Sequence, residues 1–183
     1  MANSSVDVPR TIGFCTVRAH AEHGFFGGYL ILNTHARPLE FHCTLPVKPS
    51  RAQEILYGKT LPDFVCGEQI AKALTGKAKL APQVVLTDCS AVLALGHVSD
   101  MLVACLTNPS TGSPGAHIPT TDSGRLRTIQ LGQHSATILR DDLHAEEGLR
   151  RLWESLDVAM DICEPFQRIE EALLEAHPIM KAA

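Results

Sequence analysis

Two acids stand where chemistry could sit in this chain. Glu54 lies in a helix start, Ser50-Arg51-Ala52-Gln53-Glu54, and Asp88 ends an apolar run, Val84-Val85-Leu86-Thr87-Asp88. Each also has a plainer part to play, Glu54 as a solvated helix charge and Asp88 as a cap for the segment that follows. A second constellation joins His20 and His23 with His42 and Cys43. Zinc takes histidine and cysteine in a tetrahedron, so His20, His23 and His42 are candidate metal ligands. Their His-x-x-His spacing in a turn is not a specific one, and nine histidines produce close pairs by chance.

Two other patterns fail on chemistry. Thr75-Gly76-Lys77-Ala78 has the outline of a phosphate loop, but no glycine precedes Gly76 at the required offset and alanine follows the lysine. It also ends a helix, whereas a phosphate loop opens one. Lys72, Lys77 and Lys79 are therefore read as cations matched to a helix C-terminus. Six cysteines are spread singly, with no Cys-x-x-Cys, and are expected to be free thiols packed as small hydrophobes. Cys89 is the most site-like of them, yet the adjacent Asp88 disfavours its thiolate.

The elements that must position these groups follow from patterning. Thr11–Arg18, Phe25–Asn33 and Pro38–Val47 read as three strands of an antiparallel meander, the middle one apolar enough to be covered on both faces. Ser50 is the expected N-cap of a helix over Arg51–Tyr57. Gln53 is expected to give general helix support rather than a capping box. A second helix is expected over Leu61–Thr75. Gln83–Thr87 and Met101–Thr107 read as strands, and Ser90–Leu95 is ambiguous between helix and strand. A second hairpin is expected around Gly132-Gln133-His134. Leu149, Leu152, Trp153, Leu156 and Met160 form one amphipathic stripe, and Phe166, Ile169, Leu173 and Ala176 another. The fold class is α/β or α+β: a mixed sheet on an N-terminal meander, flanked by helices, with a C-terminal helical pair.

The 183 residues favour a single domain over 1–183, with a flexible arm at 1–10, a long loop at 108–124 and an acidic helical segment at 141–183. With 45% hydrophobic and 20% charged residues the composition is globular, not disordered. No apolar run reaches the ~20 residues of a membrane span, and no signal peptide is read at the start, so a cytoplasmic protein is expected. Charge is uneven. Residues 1–140 carry 12 basic and 9 acidic side chains, and residues 141–183 carry 4 and 11. An excess of three cations in the body does not support nucleic-acid binding.

The Gly27-Gly28-Tyr29 hairpin, the helix bearing Glu54 and the strand ending Leu86-Thr87-Asp88-Cys89-Ser90 together resemble the ribonuclease H-like layout, over about residues 11–95. That resemblance implies a meander, a helix with a glutamate and a strand ending in an aspartate. It further implies that Glu54 and Asp88 bind Mg or Mn ions, which activate water and stabilise the departing oxygen in phosphodiester cleavage. Asp141 or Asp142 would supply a further acid. The sequence departs from the pattern in its first strand, which holds no acid. Cys15 or Thr16 stands about where an aspartate is required.

From the missing acid, the expected function is a non-catalytic binding or assembly module with no cofactor. Its C-terminal helices would serve a homo-oligomer or another protein partner. The alternative is a divalent-metal-dependent hydrolase or nuclease of ribonuclease H-like type.

Overall fold

A computed structural model describes residues 11–107, 118–121, 123–139, 145–156 and 160–182. Seven strands form one sheet in the order β3-β2-β1-β4-β5-β7-β6. β1 (Thr11–His20), β2 (Gly24–Asn33) and β3 (Pro38–Cys43) make the expected antiparallel meander. β4 (Val84–Thr87) returns parallel to β1, and β5 (Val103–Thr107) continues parallel to β4. The hairpin of β6 (Leu126–Leu131) and β7 (His134–Leu139) closes the far edge antiparallel. This is the mixed α/β sheet that the patterning implies. β3 is shorter than expected, because the chain turns at Thr44 to Val47, where only an isolated bridge pairs Phe25 with Val47. Pro46 and Pro49 offer no N–H to a longer ladder.

Helical layers cover both faces. On one, Tyr29, Ile31, Val65, Cys66, Ile70, Leu74, Val85 and Leu93 share a core. The helix expected over Leu61–Thr75 is here a π-helical stretch, Asp63–Ala71, running into α2 (Lys72–Lys77). It follows α1 (Arg51–Tyr57), where Ser50 and Gln53 do form a reciprocal capping box, contrary to the sequence reading. Gln at N3 satisfies the cap N–H as glutamate would. Ser90–His97 resolves as a 3-10 helix.

On the other face, α3 (Ala145–Ser155) and α4 (Glu164–Ala176) bury Leu149, Leu152, Phe166, Ile169 and Leu173 against Phe14, Leu30, Leu32 and Leu86. The amphipathic stripes are therefore spent on this chain's own sheet. That corrects the expectation that they serve a homo-oligomer or another protein. Trp153 is only partly buried, beside His134 and Gly132. The acids of these helices are largely paired: Glu146 with Arg127 and Arg150, Glu147 with Arg151, and Glu164 with Arg168. No helix among the described residues is long and apolar enough to cross a membrane.

Of the 108–124 loop, residues 108–117 and 122 lie outside the described residues, as does the arm 1–10. The loop's end is tied down. The Ile118 carbonyl accepts from Ala91 N at 3.1 Å and Ser90 Oγ at 3.2 Å, and Thr121 N donates to Asp63 Oδ2 at 3.0 Å.

Two stability measurements follow. Ile169→Ala is expected to cost about 2–5 kcal/mol in denaturant titration, as a cavity in a packed core does, and Trp153→Ala distinctly less because its indole is only partly buried. Glu40 accepts backbone N–H bonds from Lys79 and Leu80 and pairs with His42 at 2.6 Å. The Lys79 amide first, then His42, holds its carboxyl down at about 2. A depressed folded value means the contribution is complete above the unfolded value and lost as pH falls through about 2. Glu40→Gln should thus be less stable than the native chain at pH 7, with the gap closing on acidification towards about pH 2.

Candidate active site

The pairing of β1 with β4 sets the site. Cys15 lies opposite Thr87 in the parallel register, so the next pair outward is Thr16 and Asp88. Alternation along β1 sends Phe14, Thr16 and Arg18 to the α4 face and Cys15 and Val17 to the other. Thr16, not Cys15, therefore stands beside the acid. From β1 the chain turns to β2 on one side, and from β4 it continues to β5 on the other. In open α/β sheets, ligands bind in the crevice outside the carboxyl ends of strands at such a switch point.

Four side chains meet there. Arg18 Nη2 binds Asp88 Oδ2 at 2.6 Å, and Nη1 reaches Asp88 Oδ1 at 3.2 Å. Nε and Nη2 donate to Glu170 Oε2 of α4 at 3.3 and 3.2 Å. Nη1 also donates to Thr16 Oγ1 at 2.6 Å, and the Thr16 hydroxyl donates in turn to Asp88. The Arg18 side chain is 15% exposed, Asp88 24% and Glu170 47%. Burial works against the Arg18 charge, but the Asp88 and Glu170 carboxylates outweigh it and hold the guanidinium above its ordinary range.

Local sequence explains how α4 comes so near. Gly28 lies directly opposite Thr16 in the β1–β2 ladder, and a Cβ there would sit 2.3 Å from Ile169 Cγ2. Gly27 makes the same room for Ile70 on the opposite face, at 2.2 Å. Phe14 meets Phe166 edge-on with ring centroids 5.5 Å apart, which fixes the helix over β1. Glu170 follows one turn after Phe166 and falls on Arg18.

Of the acids singled out by sequence, Asp88 is in this cluster and does not cap the next segment, whose N-cap is Cys89 without a side-chain bond. Glu54 is elsewhere in hydrogen-bonding terms. Its carboxylate pairs with Arg51 at 2.9 Å on a helix with no buried residue. Asp141 and Asp142 lie outside the described residues. The His20 and His23 rings lie 4.8 Å apart, tilted to one another, but His42 sits opposite Tyr29 whereas His20 sits opposite Gly24. That is five residues along β2, roughly 17 Å. His42 is bound to Glu40 instead, so the three histidines are not brought together. Among the described residues, no group of three or more His, Cys, Asp or Glu could hold a metal ion.

Arg18 and Glu170 are the site residues that sequence reasoning missed. The available signal was a lone arginine ending an otherwise apolar first strand on the same side as Thr16. Three of the buried thiols are held in the neutral form, which disfavours them as nucleophiles. Burial pushes Cys15 and Cys105 up, with Cys89 and Asp88 adding to it, and a hydrogen bond with Cys89 leads the upward shift of Cys66.

Solved structures of similar shape include endonuclease V. Human ENDOV matches with a TM-score of 0.53 at 15% identity, over 96% of this chain and 87% of that one. Endonuclease V of Ciona intestinalis, as the D234N variant bound to a 23mer DNA with an inosine followed by a ribo-adenosine, gives 0.52 at 13%, over 94% and 87%. The same enzyme with a 24mer DNA gives 0.50 at 12%, over 96% and 89%. No family model and no curated protein matches the sequence. The likeness is one of fold, and it agrees with the resemblance of the sequence to the ribonuclease H-like layout.

Two expectations are corrected by it. The reading of a non-catalytic binding or assembly module gives way, since the neighbours of this shape are nucleic-acid-processing enzymes. The argument from charge against nucleic acid gives way too, because the Ciona structures hold DNA. Net charge averages over the whole surface, while strand binding is decided by the charges at one crevice.

In the native protein a thiol reagent should modify exposed Cys43 first, and buried Cys15, Cys66, Cys89 and Cys105 only on unfolding. Rapid labelling of Cys89 in the folded chain would reopen thiol chemistry at this edge.

Proposed function

We propose that this chain is a nucleic-acid-processing hydrolase of ribonuclease H-like type, working in the crevice between β1 and β4. The observation that carries the reading is the convergence of Asp88, from the end of β4, and Glu170, from α4, at the switch point of the sheet. The likeness in fold to endonuclease V supports it over nearly the whole chain.

The Mg or Mn ions implied by the sequence resemblance do not fit the residues described. Such ions need several oxygens in near-octahedral array. Here both carboxylates already bind one guanidinium, and β1 supplies a hydroxyl and a cation rather than an acid. The chemistry is therefore built from the chain's own groups. Glu170 is the most open carboxylate and takes the proton of a water whose oxygen attacks phosphorus. The phosphorus–oxygen bond to the leaving nucleoside breaks, and that oxygen is protonated by solvent. Arg18 sets a fixed positive charge beside the negative charge that grows on the phosphoryl oxygens. Asp88 and Thr16 hold the guanidinium in place.

The test is end-labelled single- and double-stranded DNA and RNA, incubated with the full chain in magnesium, in manganese and in EDTA. Cleavage of at least one of them is expected. Glu170→Gln should lower kcat by roughly 10²–10⁴-fold, the usual share of a general base. Asp88→Asn should lower it as well by loosening Arg18. No cleavage of any strand, or full activity in both variants, would refute the reading.

A further inference from the structure

We infer that Arg18 takes the place of a divalent cation, so that this crevice carries a built-in positive charge and loads no metal of its own. The inference deepens the hydrolase reading, since it concerns the same cluster, but it stands on geometry that is independent of cleavage.

A cation held here would bridge a carboxylate at the end of β4 to one on the last helix. The Arg18 guanidinium does that already. Nε binds Glu170, Nη2 binds both Glu170 and Asp88, and Nη1 binds Asp88, Thr16 and the Val17 carbonyl. Every nitrogen of the fork is engaged, and a planar fork matched to carboxylates is held more firmly than a point charge. The sequence of β1 points the same way. On the face that meets Asp88 it carries Thr16 and Arg18 and no acid. A metal site draws its affinity from an excess of negative charge. Here two carboxylates face one cation, and to enter, a metal would have to expel a side chain that is 15% exposed and paired twice.

Pulling Arg18 out would leave Asp88 and Glu170 opposed without a counter-charge, which is strongly unfavourable in a partly buried setting. The same fact makes the inference testable. Arg18→Met keeps the apolar stem, removes the guanidinium and leaves two carboxylates and the Thr16 hydroxyl around the vacated position. The full chain should be titrated with manganese alone, followed by electron paramagnetic resonance of free Mn²⁺ and by the melting temperature.

The native chain is expected to show no Mn²⁺ binding that depends on Asp88 and no metal-dependent rise in melting temperature. Arg18→Met should bind Mn²⁺ at least roughly tenfold more tightly and be stabilised by it, as a ligand that binds only the folded state must do. Both effects should vanish in the Arg18→Met/Asp88→Asn double variant. Arg18→Gln, which keeps a hydrogen-bonding head, serves as a second neutral variant if the methionine form does not fold. One Mn²⁺ bound by the native chain and lost in Asp88→Asn would overturn the inference. So would folded neutral variants that gain no metal affinity. A chain that cleaves nothing yet follows the expected metal pattern loses the hydrolase reading alone. A chain that cleaves nucleic acid but holds Mn²⁺ through Asp88 loses the arginine substitution alone.

Discussion

The parallel register between β1 and β4 is the constraint on which the site depends. With Cys15 set against Thr87, Thr16 and Arg18 come to lie beside Asp88 on one face. A slip by one residue would send every side chain of the strand to the other face, placing Arg18 on the apolar face that holds Cys15 and Val17. Such a slip is prevented because both faces of β1 are packed: Ile12 and Phe14 on one side, Cys15 and Val17 on the other. The polar cluster therefore does not set the register. Apolar burial sets it, at roughly 1.5–3 kcal/mol per large side chain, and the cluster occupies the strand end that burial leaves over.

The last helix completes the site by the same logic. α4 is held by Phe166, Ile169 and Leu173, and its approach is limited by what β2 presents. Gly28 presents nothing, so Ile169 packs nearly onto the backbone and Glu170 reaches Arg18. The acidity of the C-terminal segment is then less a free face than a set of local pairs. Glu146, Glu147 and Glu164 bind arginines one turn along their own helix, and Glu146 and Glu170 reach across to Arg127 and Arg18. Exposed pairs of this kind contribute little each, so docking rests on the apolar stripe.

Much of this was legible in the residues. The meander, the helix at Arg51, the buried strand ending in Asp88 and the two C-terminal stripes all follow from periodicity and punctuation. The site was legible in part. Asp88 was visible because an acid at the end of an apolar strand has few reasons to be there. Glu170 was not, since along α4 it is one charge among several, and only the third dimension separates it from Glu171. Arg18 is not legible in the sequence, because a strand-ending arginine usually just meets water, and no local pattern says that an acid 70 positions away waits for it. Glu54 was favoured by its place on the first helix, yet that helix packs no residue into a core, so nothing fixes its carboxylate near the crevice. The histidine constellation failed for a geometric reason. Residues on neighbouring strands meet only when the register agrees, and register is not written in the spacing of the histidines.

The missing acid of the first strand takes on a different meaning once Arg18 is in view. Two carboxylates facing each other across a crevice repel, and a fold that depends on a bound metal to separate them is strained until the metal arrives. Here the counter-charge is part of the chain and is delivered by the same strand pairing that builds the core. The cluster then stabilises the fold and shapes the crevice at once, and the two roles cannot be separated by deleting one residue. Removing Asp88 leaves a cation that Glu170 still partners, whereas removing Arg18 leaves two like charges on either side of the vacated position. The second loss is the graver, because two partly exposed carboxylates are then left facing each other with no counter-charge. An acid on β1 would face the same arithmetic: with Arg18 present it would be a third carboxylate on one guanidinium. The threonine at position 16, which can both accept from Arg18 and donate to Asp88, is the residue type that such a cluster can hold without adding charge.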